Sequence, residues 1–340
     1  MPSTESLAQI ARLLMAPGKG LLAMDESTST CNQRFADLGI PQTEAARRDW
    51  RDLIVSTLGL GDYISGAILF DETVHQQRLD GTSFIKVLTD AGIVPGIKLD
   101  QGAKPLPFFA GETVTEGLDG LRERIADYAK LGIRFAKWRA VINPGPGLPS
   151  AAALEANAHA LARYAALCQE GGIVPVVEPE VLMSGTQSLA ECQHATSAIL
   201  QAVFEQLYKQ GVQLEGVILK PNMVTPGLKS TEQASVPDVA AATVQTLLRH
   251  VPPAVAGVAF LSGGQSAELA SARLNAMHQL DGRPLPWPLT FSYSRAVQHP
   301  ALVAWSGNNA NISVAQQALL RRARLNSLAS QGQYQAAEEQ

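Results

Sequence analysis

Cysteine is scarce in this 340-residue chain: Cys31, Cys168 and Cys192 are odd in number and far apart. With no CxxC pair they exclude a disulfide framework and a zinc knuckle, and they read as reduced thiols. No apolar run approaches the roughly 18 residues that a membrane span needs. The first 14 residues carry Glu5 and Arg12 in a helical pattern and lack the basic start and continuous apolar stretch of a signal peptide. These absences predict a soluble, cytoplasmic protein. A formal net charge of only -4 gives no electrostatic reason to expect nucleic acid or a membrane surface as partner. The six histidines are scattered, without HxxxH or HxH spacing, and His194 lies near Cys192 but inside a helical pattern. No metal site is therefore predicted. A P-loop and a GxSxG elbow are also missing.

What the chain does have is a regular alternation. Short apolar runs occur at 20–24, 63–70, 94–99, 134–141, 173–177, 214–219, 255–261 and 289–293, and each ends in polar residues. Most are rich in Val, Ile, Leu and Phe with little alternation, which suits parallel strands covered on both faces. Helical patterns lie between them at 43–58, 83–90, 115–131, 151–170, 188–209, 237–250 and 266–279, with a long terminal one at 311–330. Strands alternating with helices in this way predict an α/β fold of the (β/α)8 TIM-barrel type. It spans 1–340 as a single domain, with an N-terminal helical segment, a C-terminal helix and a mobile tail at 333–340. A doubly wound open sheet would carry a glycine-rich turn after its first strand, and here that turn is Met24-Asp25-Glu26-Ser27. Two long loops, 143–149 and 224–235, follow strands and are expected to contact substrate.

In such a barrel the C-terminal strand ends converge on one pocket. They deliver Asp25-Glu26, Asp71-Glu72, Lys98 with Asp100, Lys137 with Arg139, Glu178 with Glu180, Lys220, the run Ser262-Gly263-Gly264, and Ser292 with Ser294 and Arg295. Lys220 closes the apolar run Gly216-Val217-Ile218-Leu219. An amine taken out of water favours its neutral, nucleophilic form, whose natural chemistry is a Schiff base with a carbonyl. A second cation nearby strengthens that preference, and Lys137 is the candidate. Lys137 and Arg139 share one side of their strand, as do Glu178 and Glu180, because strand side chains alternate. Asp25, Glu178 and Glu180 can move the protons that carbinolamine formation and bond cleavage require. Ser262-Gly263-Gly264 lies just before a helix, where backbone N–H groups can approach an oxyanion, and Arg295 adds a bidentate clamp.

Collinear segments carry a resemblance. They are Gly18-Lys-Gly-Leu-Leu-Ala-Met-Asp25-Glu-Ser-Thr, Gly96-Ile-Lys98-Leu-Asp100, Phe135-Ala-Lys137-Trp-Arg139, Gly172-Ile-Val-Pro-Val-Val-Glu178-Pro-Glu180, Leu219-Lys220-Pro-Asn-Met-Val-Thr-Pro-Gly227, Phe260-Leu-Ser262-Gly-Gly-Gln-Ser266 and Thr290-Phe-Ser292-Tyr-Ser-Arg295. Together they resemble class I fructose-bisphosphate aldolase, the metal-independent Schiff-base type. The resemblance implies reversible cleavage of fructose 1,6-bisphosphate to dihydroxyacetone phosphate and glyceraldehyde 3-phosphate, without a cofactor, in a homotetramer. It implies Lys220 as the Schiff-base lysine, Glu178 as the main general acid/base with Glu180 supporting it, and Asp25 as acceptor of the C4-hydroxyl proton. Lys137 would polarise the reacting oxygens. Ser262, Gly263, Ser292 and Arg295, with Arg34 nearby, would hold the 1-phosphate, and Lys98 and Arg139 the 6-phosphate end.

Some positions depart from the family pattern. Ser294 and Ser29 stand where Gly is common, and Gln33 stands where a Lys precedes Arg34. Animal members continue through a longer tail ending in Tyr, whereas this sequence reaches Gln340 soon after Tyr334. Another group, or water, is therefore expected to reprotonate the enamine. Two alternatives stand beside this reading: a Schiff-base lyase for fructose 1-phosphate, needing Lys98 and Arg139 less, and a non-catalytic scaffold.

Overall fold

The computed structural model of the chain describes residues 6–280 and 284–339. Eight parallel strands close into a barrel: β1 (Gly20–Met24), β2 (Ile64–Leu69), β3 (Val94–Lys98), β6 (Phe135–Ile142), β7 (Val174–Val181), β8 (Ile218–Leu219), β9 (Gly257–Phe260) and β10 (Leu289–Tyr293). The order around the barrel follows the chain, and β1 pairs with both β2 and β10. The predicted (β/α)8 barrel is the observed fold. Two short strands, β4 (Ala103–Pro105) and β5 (Thr113–Thr115), form an antiparallel hairpin outside it.

Alternation along the strands sorts the side chains. Leu22, Met24, Trp138, Val177, Val258, Phe260, Phe291 and Tyr293 point outward into the layer between barrel and helices. Leu21, Ala23, Ile68, Phe135, Val174, Val176, Ile218 and Ala259 form a separate apolar cluster. These are inward-facing positions, and the helix Leu7–Leu14 packs on the cluster through Ile10, Ala11 and Leu14. Ser6 starts that helix with a reciprocal capping box to Gln9. The helix therefore floors the barrel at one end, and the inward positions toward the other end are left to polar groups. The Phe135 ring fills the space beside Gly96, where an added Cβ would lie 2.4 Å from ring atoms.

Several sequence expectations differ from the structure. The helix expected over 115–131 covers only Leu121–Lys130, because Gly117 and Gly120 adopt left-handed backbone (φ 125 and 64) that breaks the helix before it starts. The run 214–219 gives a short turn at Leu214–Gly216 and only two strand residues. The strand expected at 173–177 continues to Val181, so Glu178 and Glu180 lie on the strand itself. The helices Thr28–Ala36 and Arg295–Trp305 have no counterpart in the sequence reading. Pro300 sits inside the second and hides it, since proline cannot donate to the carbonyl four residues back. That carbonyl, Ala296 O, instead accepts from Arg322 Nε at 3.3 Å. Arg322 also donates to Ala267 O and pairs with Glu339 at 2.5 Å, so it ties two helix starts to the C-terminal turn Ala336–Glu339.

The filled barrel floor gives a stability prediction. Gly96→Ala should cost about 1–3 kcal/mol by overpacking, read as a lower urea midpoint. Phe135→Leu added to that variant should recover much of the loss. An unchanged midpoint in Gly96→Ala would mean that the ring has room to move.

Candidate active site

At the open end lies a cleft of about 590 Å³. It is lined by all twelve residues singled out from sequence: Asp25, Arg34, Lys98, Lys137, Arg139, Glu178, Glu180, Lys220, Ser262, Gly263, Ser292 and Arg295. Asp100, Glu26, Ser294 and Gly264 line it too. Each barrel strand except β2 delivers a polar side chain to it, from within the strand on β6 and β7 and from near or just beyond the C-terminal end on the others. The Asp71-Glu72 pair after β2 is a correction: it opens a single helical turn, Asp71–Val74, outside this cleft. Glu72 there pairs with Arg47 at 2.6 Å, and Asp71 accepts from Tyr128 at 2.6 Å. The long loops 143–149 and 224–235 also supply none of the lining residues. The second of them braces the loop after β7, with Gly227 N–H donating to Gln187 O at 2.8 Å and Lys229 N–H to Gly185 O at 3.0 Å.

Lys137 is the centre of charge. Its ammonium lies 2.8 Å from Asp25, 3.2 Å from Glu178 and 4.0 Å from Asp100. All four side chains are buried. Burial pushes the Lys137 pKa down, but Asp25, Glu178 and Asp100 outweigh it and hold the amine well above its ordinary value. Asp25 mirrors this: burial would raise its carboxyl, yet Lys137, then Lys220 and Lys98, hold it well below the usual carboxylate range. Lys137 is therefore a lasting cation and Asp25 a lasting carboxylate.

Lys220 is 3% exposed, with Nζ 3.3 Å from Glu178 Oε1. The apolar run before it suggested an isolated amine; the barrel gives it a carboxylate neighbour from the adjacent strand. Glu178 thus stands between two lysines, one on each oxygen. Its Oε2 lies within ion-pair distance of Lys137 but has no aligned hydrogen bond, leaving a lone pair for another partner. Register explains the next pair: Arg139 is opposite Glu178 on β7, and Glu180 is one pleat further along. Arg139 reaches across to Glu180 at 2.5 Å, which lifts the guanidinium above its ordinary value despite burial that opposes it. Lys98 folds onto Asp100 at 2.8 Å.

The other side of the cleft suits an anion. Gly263 and Gly264 have φ of +58 and +96, and a Cβ on Gly263 would come within 1.9 Å of Met183. Only glycine fits that turn. The helix Ala267–His278 starts directly after it with Ser266 as N-cap, the arrangement that favours negative charge. Arg295 lines the same wall, and the buried Ser292 hydroxyl has no hydrogen-bond partner among the described residues. Ser294, where the family pattern has Gly, has φ -103, so glycine's conformational freedom is not needed. Its hydroxyl lies 2.5 Å from Glu26 and accepts from Arg34 at 3.1 Å. Glu26 also pairs with Arg34 at 2.6 Å and Arg51 at 3.2 Å. Burial would raise its carboxyl, but Arg34 and Arg51, with the Ser294 hydrogen bond, hold it below the usual range. Sequence reasoning brought Glu26, Ser294 and Asp100 to the pocket but gave them no role in it. For Asp100 a signal existed, since it stands two residues after Lys98 and so faces the same side.

Comparison with known proteins points one way. A family model described as fructose-bisphosphate aldolase class-I matches residues 6–340. The chain is 55% identical to a probable fructose-bisphosphate aldolase class 1 of Xanthomonas campestris pv. campestris, over 98% of this chain and 99% of that one. It is 48% identical to fructose-bisphosphate aldolase 4, cytosolic, of Arabidopsis thaliana, over 97% of this chain and 84% of the other. A solved fructose-bisphosphate aldolase from Plasmodium falciparum, in complex with TRAP and a small molecule inhibitor, superposes with TM-score 0.96 at 46% identity, covering 99% of this chain and 97% of that chain. Among the described residues no helix is long and apolar enough to cross a membrane.

The charge cluster predicts an inverted pH response. In the parent protein the Asp25 pKa is lower folded than unfolded, so its contribution is present above roughly pH 4 and is lost as pH falls. Lys137→Met leaves Asp25, Glu178 and Asp100 facing one another without their shared cation, at a cost of about 3–5 kcal/mol. Asp25 then loses the main charge that offsets its burial, and its folded-state affinity for protons rises, so the variant's stability should fall between about pH 5 and pH 8. Urea midpoints at the two pH values check this. A midpoint that climbs with pH in the variant would show that Lys137 does not hold Asp25 ionised.

Proposed function

The chain belongs to the fructose-bisphosphate aldolase class-I family, and from that premise we propose that Lys220 is its Schiff-base lysine. The chain is a carbon–carbon lyase. It reversibly cleaves fructose 1,6-bisphosphate to dihydroxyacetone phosphate and glyceraldehyde 3-phosphate through a lysine Schiff base, without a metal. The observation that carries the residue assignment is the buried Lys220 amine, 3.3 Å from Glu178 and in one cleft with the Gly263-Gly264 turn and Arg295.

The roles follow from this arrangement. The Lys220 amine attacks the C2 carbonyl, forming the N–C bond, and a proton reaches the former carbonyl oxygen. Glu178, within reach of Lys220, supplies and recovers protons as that oxygen leaves as water and the iminium forms. Lys137, charged throughout, polarises the C2 oxygen and neutralises charge that develops on it. Asp25, held ionised, takes the C4-hydroxyl proton as the C3–C4 bond breaks, and the bonding electrons flow into the iminium to leave an enamine. Glu180 supports Glu178 and, through its contact with Arg139, keeps that guanidinium aimed at the 6-phosphate end with Lys98. Ser262, Gly263, Ser292 and Arg295 bind the 1-phosphate. Arg34 begins paired with Glu26 and Ser294 and completes that wall.

The family resemblance also supports a homotetramer, and the cytosolic Arabidopsis relative supports a cytoplasmic location; sedimentation and cell fractionation test these directly.

Trapping tests the central assignment. Incubation with dihydroxyacetone phosphate followed by borohydride should leave a reduced adduct on Lys220, located by peptide mass spectrometry. Lys220→Met should lower kcat by at least about 10⁴-fold, the scale of losing a covalent nucleophile. An adduct on any other lysine would overturn the assignment. Lys98→Met should raise KM for fructose 1,6-bisphosphate about ten-fold and leave that for fructose 1-phosphate almost unchanged.

A further inference from the structure

Four arginines of the described structure are buried: Arg47, Arg51, Arg273 and Arg322. Arg47 pairs with Glu72, Arg51 with Glu26 and Arg322 with Glu339. Arg273, in the helix Ala267–His278, has no carboxylate in ion-pair range among the described residues. Its Nη1 donates to Gln265 Oε1 at 2.8 Å, and its Nε is buried without a partner. Gln265 Nε2 donates in turn to Ser262 O at 2.9 Å, and the Gln265 backbone N–H to the same oxygen at 3.1 Å. The guanidinium thus leans, through one amide, on the back of the Ser262–Gly264 turn.

A buried cation without a counter-charge is costly, and a neutral amide offsets only part of that cost. Burial accordingly holds the Arg273 pKa below the ordinary guanidinium range, with no neighbouring charge opposing it. A side chain that only filled space would serve better as methionine or leucine. The turn it supports faces the cleft and is built for an anion, so the missing negative charge has one evident source.

We propose that Arg273 is a positioning residue for phosphate: through Gln265 it holds the Ser262–Gly264 turn, and the bound phosphate of the substrate is its counter-charge. The inference rests on reading that turn as a phosphate site. The unliganded fold carries the unpaired cation, and phosphate binding relieves it. Arg273 touches no substrate atom in this account. Its effect belongs in affinity for the phosphate group and not in the chemical step.

Arg273→Met tests this, with inorganic phosphate as the probe in calorimetry, urea unfolding in phosphate-free buffer, and steady-state kinetics on fructose 1,6-bisphosphate. The expected result has three parts. Phosphate-free stability is unchanged or higher; phosphate binds about ten-fold more weakly; and KM rises by a similar factor while kcat changes less than about two-fold. Arg273→Lys, which keeps the charge and loses the forked geometry, should retain more than half of the lost affinity on a logarithmic scale. It also serves if the methionine variant does not fold. Wild-type phosphate affinity in Arg273→Met would overturn the proposal. So would Arg273→Lys binding phosphate no better than the methionine variant, or losing stability and affinity by equal free energies, the signature of a purely structural side chain. Ser262→Ala and Arg295→Met separate the two levels: if both bind phosphate like the parent, the phosphate site itself lies elsewhere, whatever Arg273 does.

Discussion

One buried ammonium, shared by carboxylates from three other strand ends, organises the open end of this barrel. Lys137 reaches Asp25 after β1, Asp100 after β3 and Glu178 on β7. For Asp25 it is the main charge that keeps the buried carboxyl ionised. With it, each keeps a defined state: a base that remains a base, and a glutamate left with one free lone pair beside the amine. The catalytic division of labour thus descends from a single electrostatic constraint, that charges removed from water must be paired.

The rest of the fold serves that constraint by excluding water from one side. The apolar floor made by Leu21, Ile68, Phe135, Val176 and Ile218, with the N-terminal helix packed beneath it, leaves the cleft open only at the strands' C-terminal ends. On the two longest strands the inward face therefore changes character along its length. On β6 it runs Phe135, Lys137, Arg139, and on β7 Val174, Val176, Glu178, Glu180. Low dielectric below and fixed charge above is the condition under which pre-aimed dipoles and ions stabilise a transition state most strongly.

The anion side is arranged differently. Its backbone turn is set by two left-handed glycines, and its cations stand in different states of pairing. Arg34 is engaged by Glu26 and Ser294, whereas Arg273 stands behind the turn with only an amide. Ser294 shows how a departure from a family pattern is absorbed. The backbone there never required glycine, and the added hydroxyl joins an existing network instead of clashing with it. Pro300 is a second case: the carbonyl it leaves unbonded is taken up by Arg322, so a residue that reads as a helix breaker sits inside a helix.

How much could be read from the residues alone depended on the range of the interaction. Apolar runs with polar ends gave the eight strands, because burial on both faces is a local property of a segment. Spacing by two gave the shared faces of Lys137 with Arg139 and of Glu178 with Glu180, because the pleat has period two. Collinear motifs gave the family and its chemistry. The helix interrupted by Pro300 escaped local reading, and the one after Gly117 and Gly120 was read with too early a start, because distant partners or single backbone angles decide them. Pairing belonged to the tertiary structure: that Lys220 meets Glu178, that Asp100 joins Lys137, that Asp71 and Glu72 leave the cleft, and that Arg273 meets no acid among the described residues. The physical reason is closure. Which strand ends face each other, and at what height, is fixed by the stagger of a closed sheet, and no segment of the chain carries that information by itself.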